Sequence, residues 1–291
     1  MKTIALFILR IWSLFPLPIL QMFGKLIGNI HYLVNSRSAQ ITSANLNICG
    51  QPSNIRLDSL KETGKTILET PAIWLGSKDR IDEWVVEIFG ESLLRKAVQD
   101  KKGLLILLPH VGNWELFNVF YRRFGSMTAL YQPPRSRILR KIISDLREYH
   151  DNEMVPTNKR GLRRLYEVLL KGGTVAVLPD QVPSSGHFIP FFGEFALTDE
   201  LTIRLQRKTG ANVLMLVFLR RSDGYFDVHI AEADTELYQG NVTNALGALN
   251  GMIESVVALQ PAQYQWEYKR YRERPRGEKK IYRFNKPTSF H

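Results

Sequence analysis

The segment Gly103 to Phe117 reads GLLILLPHVGNWELF and sets an imidazole and a carboxylate five positions apart, at His110 and Glu115. A carboxylate bonded to one ring nitrogen fixes the tautomer and leaves the other nitrogen free to take a proton. In a continuous helix, five residues rotate by about 500°, which leaves two side chains about 140° apart. They meet only where the chain turns non-helically between them, and Gly112 and Asn113 are the residue types that permit such a turn. The plainer alternative is a structural histidine at a strand end, with Glu115 as an ordinary acid in the first turn of a helix. Spacing leaves both open.

The elements around this segment place it. Leu104 to Leu108 (LLILL) is too short for a helix and is bounded by Gly103 and Pro109, so it reads as a buried strand. His110 then stands at a strand end next to a helix start, where α/β folds put their ligands. TVAVL at 174–178 and VLMLVFL at 213–219 read as further buried strands, and 225–231 alternates like an edge strand. Helices are expected at 80–100, 114–124, 136–150, 160–171, 200–208 and 241–259, with Gly172-Gly173, Gly210 and Pro261 as stops. Strands alternating with helices predict one α/β domain over residues 36–291.

The N-terminal residues 1–35 read differently. TIALFILRIWSLFPLPILQMFG, from Thr3 to Gly24, carries one charge, Arg10, and is broken by Pro16 and Pro18. Gln21, Lys25 and Asn29 then recur every fourth residue as a polar stripe, as on an interfacial helix. A retained, membrane-associated helical segment is expected here, either spanning the bilayer or lying in its surface. The other readings are a buried core helix and a signal peptide. No second candidate span is evident downstream.

Composition limits the partners. The net charge is +11, which favours an anionic partner such as a nucleic acid, an anionic membrane, a phosphorylated lipid or an acidic carrier protein. The single cysteine, Cys49, excludes an internal disulfide framework and a cysteine-rich metal site. With no histidine motif beside it, Cys49 reads as a small packing residue. No G-x-S-x-G or H-E-x-x-H motif calls for a serine nucleophile or a metal. The C-terminal YKRYRERPRGEKKIYR is basic with interleaved tyrosines, but no nucleic-acid motif accompanies it.

HVGNWE resembles the His-x-x-x-x-Asp/Glu box of the glycerolipid and lysophospholipid acyltransferases. It is closer still to the HxGNWE form of the late acyltransferases of lipid A biosynthesis. Other segments resemble that family in the same order: Asn45-Leu46 with Cys49, ALYQPP at 129–134, GGTVAVLPDQVPSSGHFIPFFG at 172–193 and QYQWEYKRYRERP at 263–275. The resemblance implies a central mixed sheet flanked by helices. It also implies transfer of a fatty acyl group from acyl-acyl carrier protein to a hydroxyl of a lipid A precursor at the inner membrane, on its cytoplasmic face. No cofactor, metal or nucleic acid is implied. The same chemistry also fits a lysophospholipid, an ornithine lipid or a phosphoinositol glycoside as acceptor. A non-enzymatic peripheral membrane or nucleic-acid-binding protein is the third possibility.

Under this resemblance His110 is the general base and Glu115 its partner. The thiolate of the donor is a good leaving group, so no covalent intermediate is needed. Arg147 and Asp180 fall where the family carries substrate-binding residues. Asn113 and Gly193 complete the expected substrate-binding set, with Phe191 and Phe192 shaping a pocket wall. Arg135, Arg137, Arg140 and Lys141 are expected to join Arg147 in a positive rim. Gln132 departs from the arginine common at its position, and ANVLMLVFLR lacks a proline common in the fourth box.

Overall fold

In the computed structural model, residues 2–131 and 152–282 are described. Arg147, the other basic residues expected to form the rim and the helix expected at 136–150 lie outside them.

Nine strands are found among the described residues: β1 Val85–Phe89, β2 Leu104–Leu107, β3 Met127–Tyr131, β4 Glu153–Pro156, β5 Thr174–Val177, β6 His187–Phe191, β7 Glu194–Thr198, β8 Asn212–Arg220 and β9 Phe226–Glu232. The helices are α1 Lys2–Ser13, α2 Leu17–Leu33, α3 Arg37–Ile48, α4 Arg56–Leu75, α5 Lys78–Asp82, α6 Glu91–Gln99, α7 Phe117–Phe120, α8 Lys159–Leu170, α9 Leu201–Thr209, α10 Thr235–Gln239 and α11 Val242–Leu259.

Seven strands form one sheet in the order β1-β9-β8-β2-β5-β3-β4, and β6 and β7 form a separate hairpin. Pairing is parallel except between β8 and β9, so the sheet is mixed. The central strands are buried on both faces, which explains their unbroken apolar runs. Alternate residues still serve opposite sides. Leu105, Leu107, Val175, Val177, Val213 and Met215 pack towards α8, α9 and α11. Leu104, Ile106, Leu108, Ala176, Leu214 and Leu216 pack towards α4, α6 and α7.

Three local expectations change. The expected helix over 80–100 is interrupted by β1, where the β-branched and aromatic run WVVEIF prefers a strand and Gly90 turns the chain at φ 83°. Residues 226–232 do not form an edge, because β1 adds alongside β9. Thirdly, α11 is long and apolar enough to cross a membrane by length and composition. It packs Leu246, Leu249, Ile253 and Val257 into the core instead.

The N-terminal helices are docked on the domain. The chain bends by 114° between α1 and α2, at the break before Pro16. Helix α2 meets α4 at backbone contact: a β-carbon on Gly24 would stand 2.5 Å from Lys65 Cα, and one on Gly64 would stand 2.2 Å from the Gly24 oxygen. Leu17, Leu20 and Gln21 are buried, while Met22, Phe23, Leu26, Ile30 and Leu33 are exposed, as are Phe7, Ile8, Ile11 and Leu14 of the preceding helix and turn. The expected polar stripe therefore does not form one wetted face. Gln21 turns inward and donates to Glu69 Oε1 at 2.8 Å and to the Gly224 oxygen at 2.7 Å.

Candidate active site

Strands β2 and β5 are parallel neighbours, with Leu107 opposite Val177. Each continues for three residues past that pair, and each ends on a side chain that can carry charge, His110 after β2 and Asp180 after β5. Equal offsets bring the two together. His110 Nδ1 lies 2.7 Å from Asp180 Oδ1, and the His110 backbone N–H donates to Asp180 Oδ2 at 2.8 Å. A proton on Nδ1 directed at this carboxylate leaves the Nε2 lone pair for chemistry. Burial alone would raise the Asp180 carboxyl. The charge and hydrogen bonds of His110 outweigh it, with Arg270 contributing, and the group is held below the ordinary carboxylate value.

His110 is fixed on its other sides too. Its carbonyl accepts from Gln265 N–H at 3.0 Å. Its ring meets Trp114 edge to face, with centroids 4.6 Å apart. Nε2 lies 3.0 Å from Gln181 Nε2, which places the amide N–H on the free lone pair. His110 and Gln181 line a groove of about 770 Å3, whose walls include Leu130, Leu162, Val177, Val182, Arg204 and Arg272.

The turn after His110 is the one that Gly112 and Asn113 were expected to permit. Gly112 has φ 64°, and a β-carbon on it would stand 1.8 Å from the Phe218 oxygen, so a side chain is excluded. Its N–H donates to the Gln263 oxygen, and the next N–H, that of Asn113, donates to the Phe218 oxygen. The loop is thereby sewn to β8 and to the C-terminal QYQW segment.

The turn does not join His110 to Glu115. Glu115 Oε2 accepts from Trp74 Nε1 at 2.8 Å and from Asn118 Nδ2 at 3.1 Å, and no hydrogen bond or ion pair connects Glu115 to His110. The expected His110–Glu115 pairing is replaced by His110–Asp180. Glu115 faces a separate cavity of about 140 Å3, lined also by Glu62, Trp114, Gln265 and Glu267. Glu267 was not anticipated. Burial raises its carboxyl above the ordinary value, and a hydrogen bond from Thr63 at 2.9 Å offsets part of the rise.

Other expected substrate contacts fall elsewhere. Asp180 is buried and holds His110, so it is not a groove wall. Asn113 is fully buried. Its Nδ2 donates to Glu69 Oε2 at 2.8 Å and its Oδ1 accepts from the Glu115 N–H, so both ends of the amide are engaged within the framework. Gly193 sits with Phe192 at the tip of the β6–β7 hairpin, both at positive φ, where the turn needs them. It lines neither cavity. Phe191 is core, under the buried Arg270 guanidinium at 5.3 Å.

The N-terminal and C-terminal motifs meet in space. Asn45 Nδ2 donates to the carbonyls of Trp266 and Tyr268, at 2.6 and 2.8 Å. The Cys49 thiol lies 3.0 Å from the Tyr271 hydroxyl, which itself donates to the Phe191 oxygen. Burial pushes this thiol up to about 12, so it stays protonated at neutral pH, as a packing residue would.

Residues 1–273 match the family of bacterial lipid A biosynthesis acyltransferases, and the chain belongs to that family. It is an acyltransferase. Its relatives include a lipid A biosynthesis palmitoleoyltransferase of Escherichia coli K12, 26% identical over 284 residues and covering 94% of this chain and 92% of the relative. A lipid A biosynthesis lauroyltransferase of the same strain is 26% identical over 277 residues, covering 90% and 88%. A phosphatidylinositol mannoside acyltransferase of Mycolicibacterium smegmatis is 26% identical over 177 residues, covering 59% of this chain and 57% of its own.

Proposed function

We propose that this chain transfers a fatty acyl group from acyl-acyl carrier protein to a hydroxyl of a lipid A precursor, with His110 as general base. The observation that carries this is the His110–Asp180 pair, whose imidazole lines the groove. The acceptor hydroxyl loses its proton to Nε2 as its oxygen attacks the thioester carbonyl. Asp180 stabilises the imidazolium that forms. General base catalysis of this kind contributes about 10²–10⁴-fold. Glu115, anchored by Trp74 and Asn118, presents its carboxylate to the acceptor from the neighbouring cavity rather than to the imidazole. Arg147 remains part of the proposal as a phosphate ligand.

The same reading places residues 1–35 on the cytoplasmic face of the inner membrane and residues 36–291 as the catalytic domain. The exposed apolar side chains of α1 and α2 support it. A bent pair suits a surface-lying element. At about 1.5 Å per residue, the 17 residues of α2 fall short of a hydrocarbon core about 30 Å thick.

The test is to incubate the purified protein with acyl-acyl carrier protein and a Kdo-bearing lipid A disaccharide and to weigh the product by mass spectrometry. One added acyl chain is expected from the wild type and none from His110→Ala. The partial match to a phosphatidylinositol mannoside acyltransferase supports a second acceptor class, a phosphoinositol glycoside, to be run in parallel.

A further inference from the structure

Resting on the reading of His110 as the base, we propose that Gln181 is a catalytic residue. Its carboxamide occupies the seat of the acceptor hydroxyl in the resting enzyme and, once displaced, donates to the oxyanion formed on the thioester carbonyl.

Nδ1 of His110 is committed to Asp180, so Nε2 carries the one lone pair available for proton abstraction. Gln181 Nε2 stands 3.0 Å from it. A hydroxyl must come within about 2.6–3.2 Å of Nε2 to be deprotonated. It must therefore take the place the amide nitrogen holds. The Gln181 side chain is exposed and has no other hydrogen bond among the described residues, so it is free to leave. Its backbone is not free. Asp180 is held by His110 before it, and after it the Val182 N–H donates to the Tyr268 hydroxyl at 3.0 Å while the Val182 oxygen accepts from Arg272 at 3.3 Å. The amide swings on its side-chain bonds alone and stays beside the reacting atoms.

The oxyanion needs a donor, and the nearby backbone offers little. The N–H groups of His110, Val111, Gly112, Asn113 and Val182 are each directed at a partner already. Asn158, the other carboxamide on the groove wall, caps α8 by accepting from the Gly161 N–H at 3.0 Å. That cap fixes Asn158 at the start of α8, whereas Gln181 stands directly against the base and has both amide hydrogens available once His110 is released.

The step balances without any further reactant. The hydroxyl oxygen bonds to the carbonyl carbon, its proton moves to Nε2, and the carbonyl electron pair moves to the oxygen that Gln181 caps. Collapse breaks the carbon–sulfur bond, and the thiolate leaves with the proton from Nε2.

Gln181→Ala, Gln181→Glu and His110→Ala are compared with the wild type in the acyl-transfer assay, with unfolding temperatures as a check. Loss of an oxyanion donor should lower kcat by about 10²–10³-fold, while the acceptor KM should not rise, because the seat no longer has to be vacated. The acidic limb of the kcat–pH profile should stay in place, and Gln181→Glu, which brings a negative charge to the oxyanion, should not restore the rate. A kcat within threefold of wild type for Gln181→Ala overturns the proposal. So does a shifted acidic limb with unchanged maximal rate, which would make Gln181 only a modulator of the imidazole. Activity in His110→Ala would instead remove the base, and the proposal with it.

Discussion

Glu69 and Arg220 form a bidentate ion pair in the interior, Nη2 to Oε2 at 2.6 Å and Nε to Oε1 at 3.1 Å, with side-chain exposures of 0% and 1%. Glu69 also accepts from Gln21 and Asn113, and Arg220 also reaches Glu62 and Thr66. One carboxylate thus ties α2, α4, β8 and the HVGNWE turn together. Removing one partner leaves an uncompensated buried charge, which costs about 3–5 kcal/mol. Arg220→Met should show such a loss in urea unfolding. The Glu69→Leu, Arg220→Met double variant should lose less than the two singles added together. Additive losses would show that the two do not act as a pair.

Asp180→Asn keeps the shape of the site and removes its charge. Its kcat should fall by about 10²–10⁴-fold, since the imidazolium loses its counter-charge. The same substitution has a stability signature. The folded Asp180 carboxyl titrates below its ordinary 3.8, so its contribution is fully present above that value and is lost as pH falls through the lower folded one. The stability gap between wild type and Asp180→Asn should therefore be full and constant above pH 3.8 and close as pH falls below it. Parallel curves throughout would contradict the assignment.

Glu267 has the opposite sign. Its folded carboxyl titrates above the ordinary 4.5, so the fold is favoured while the group is protonated and is penalised as pH rises through the folded value. Glu267→Gln, which can still accept from Thr63, should raise the unfolding temperature at neutral pH. It should match wild type in acid. Equal stability of the two at pH 7 would show that burial does not strain this carboxyl.

Gly112→Ala places a methyl against the Phe218 oxygen at a backbone angle that L side chains rarely adopt. The turn must move, carrying Asn113 and Glu115 with it. Activity should drop by at least tenfold, measured below the unfolding transition. Retention of full activity would mean that the turn is not held as tightly as its two hydrogen bonds indicate.

Charges placed on Phe23, Leu26 and Ile30 separate docking from folding. These side chains are exposed, so aspartates there should leave the unfolding temperature within a few degrees of wild type. Co-sedimentation with anionic vesicles should fall severalfold. Unchanged sedimentation would argue against a lipid surface as the partner of this face.

Much of this site was written in local sequence, and the rest in pairings across the chain. LLILLPH and TVAVLPD each announce a buried strand ending on a polar residue, and Gly112-Asn113 announces a turn. What no local pattern states is that these strands lie side by side, so that His110 finds Asp180, 70 positions away, before it can find Glu115. The engagement of Asn113 depends in the same way on Glu69, 44 positions earlier. Val85–Phe89 was hidden because the flanking RIDEW and GESLLRKA are helix-like, and a five-residue strand is easily absorbed between them. Gln181 carried no signal beyond its place after the aspartate, because its importance comes from the lone pair it faces.

The glycine seam between α2 and α4 sets the mechanics of the N-terminus. With Gly24, Gly28 and Gly64 at backbone contact, α2 has no side-chain cushion on which to roll or slide. It behaves as a weld, not a hinge. A load on its outward apolar face passes undamped into α4, whose buried carboxylate grips the turn beyond His110. Even one methyl group in that seam would act as a shim, tilting the outer face relative to the groove it accompanies.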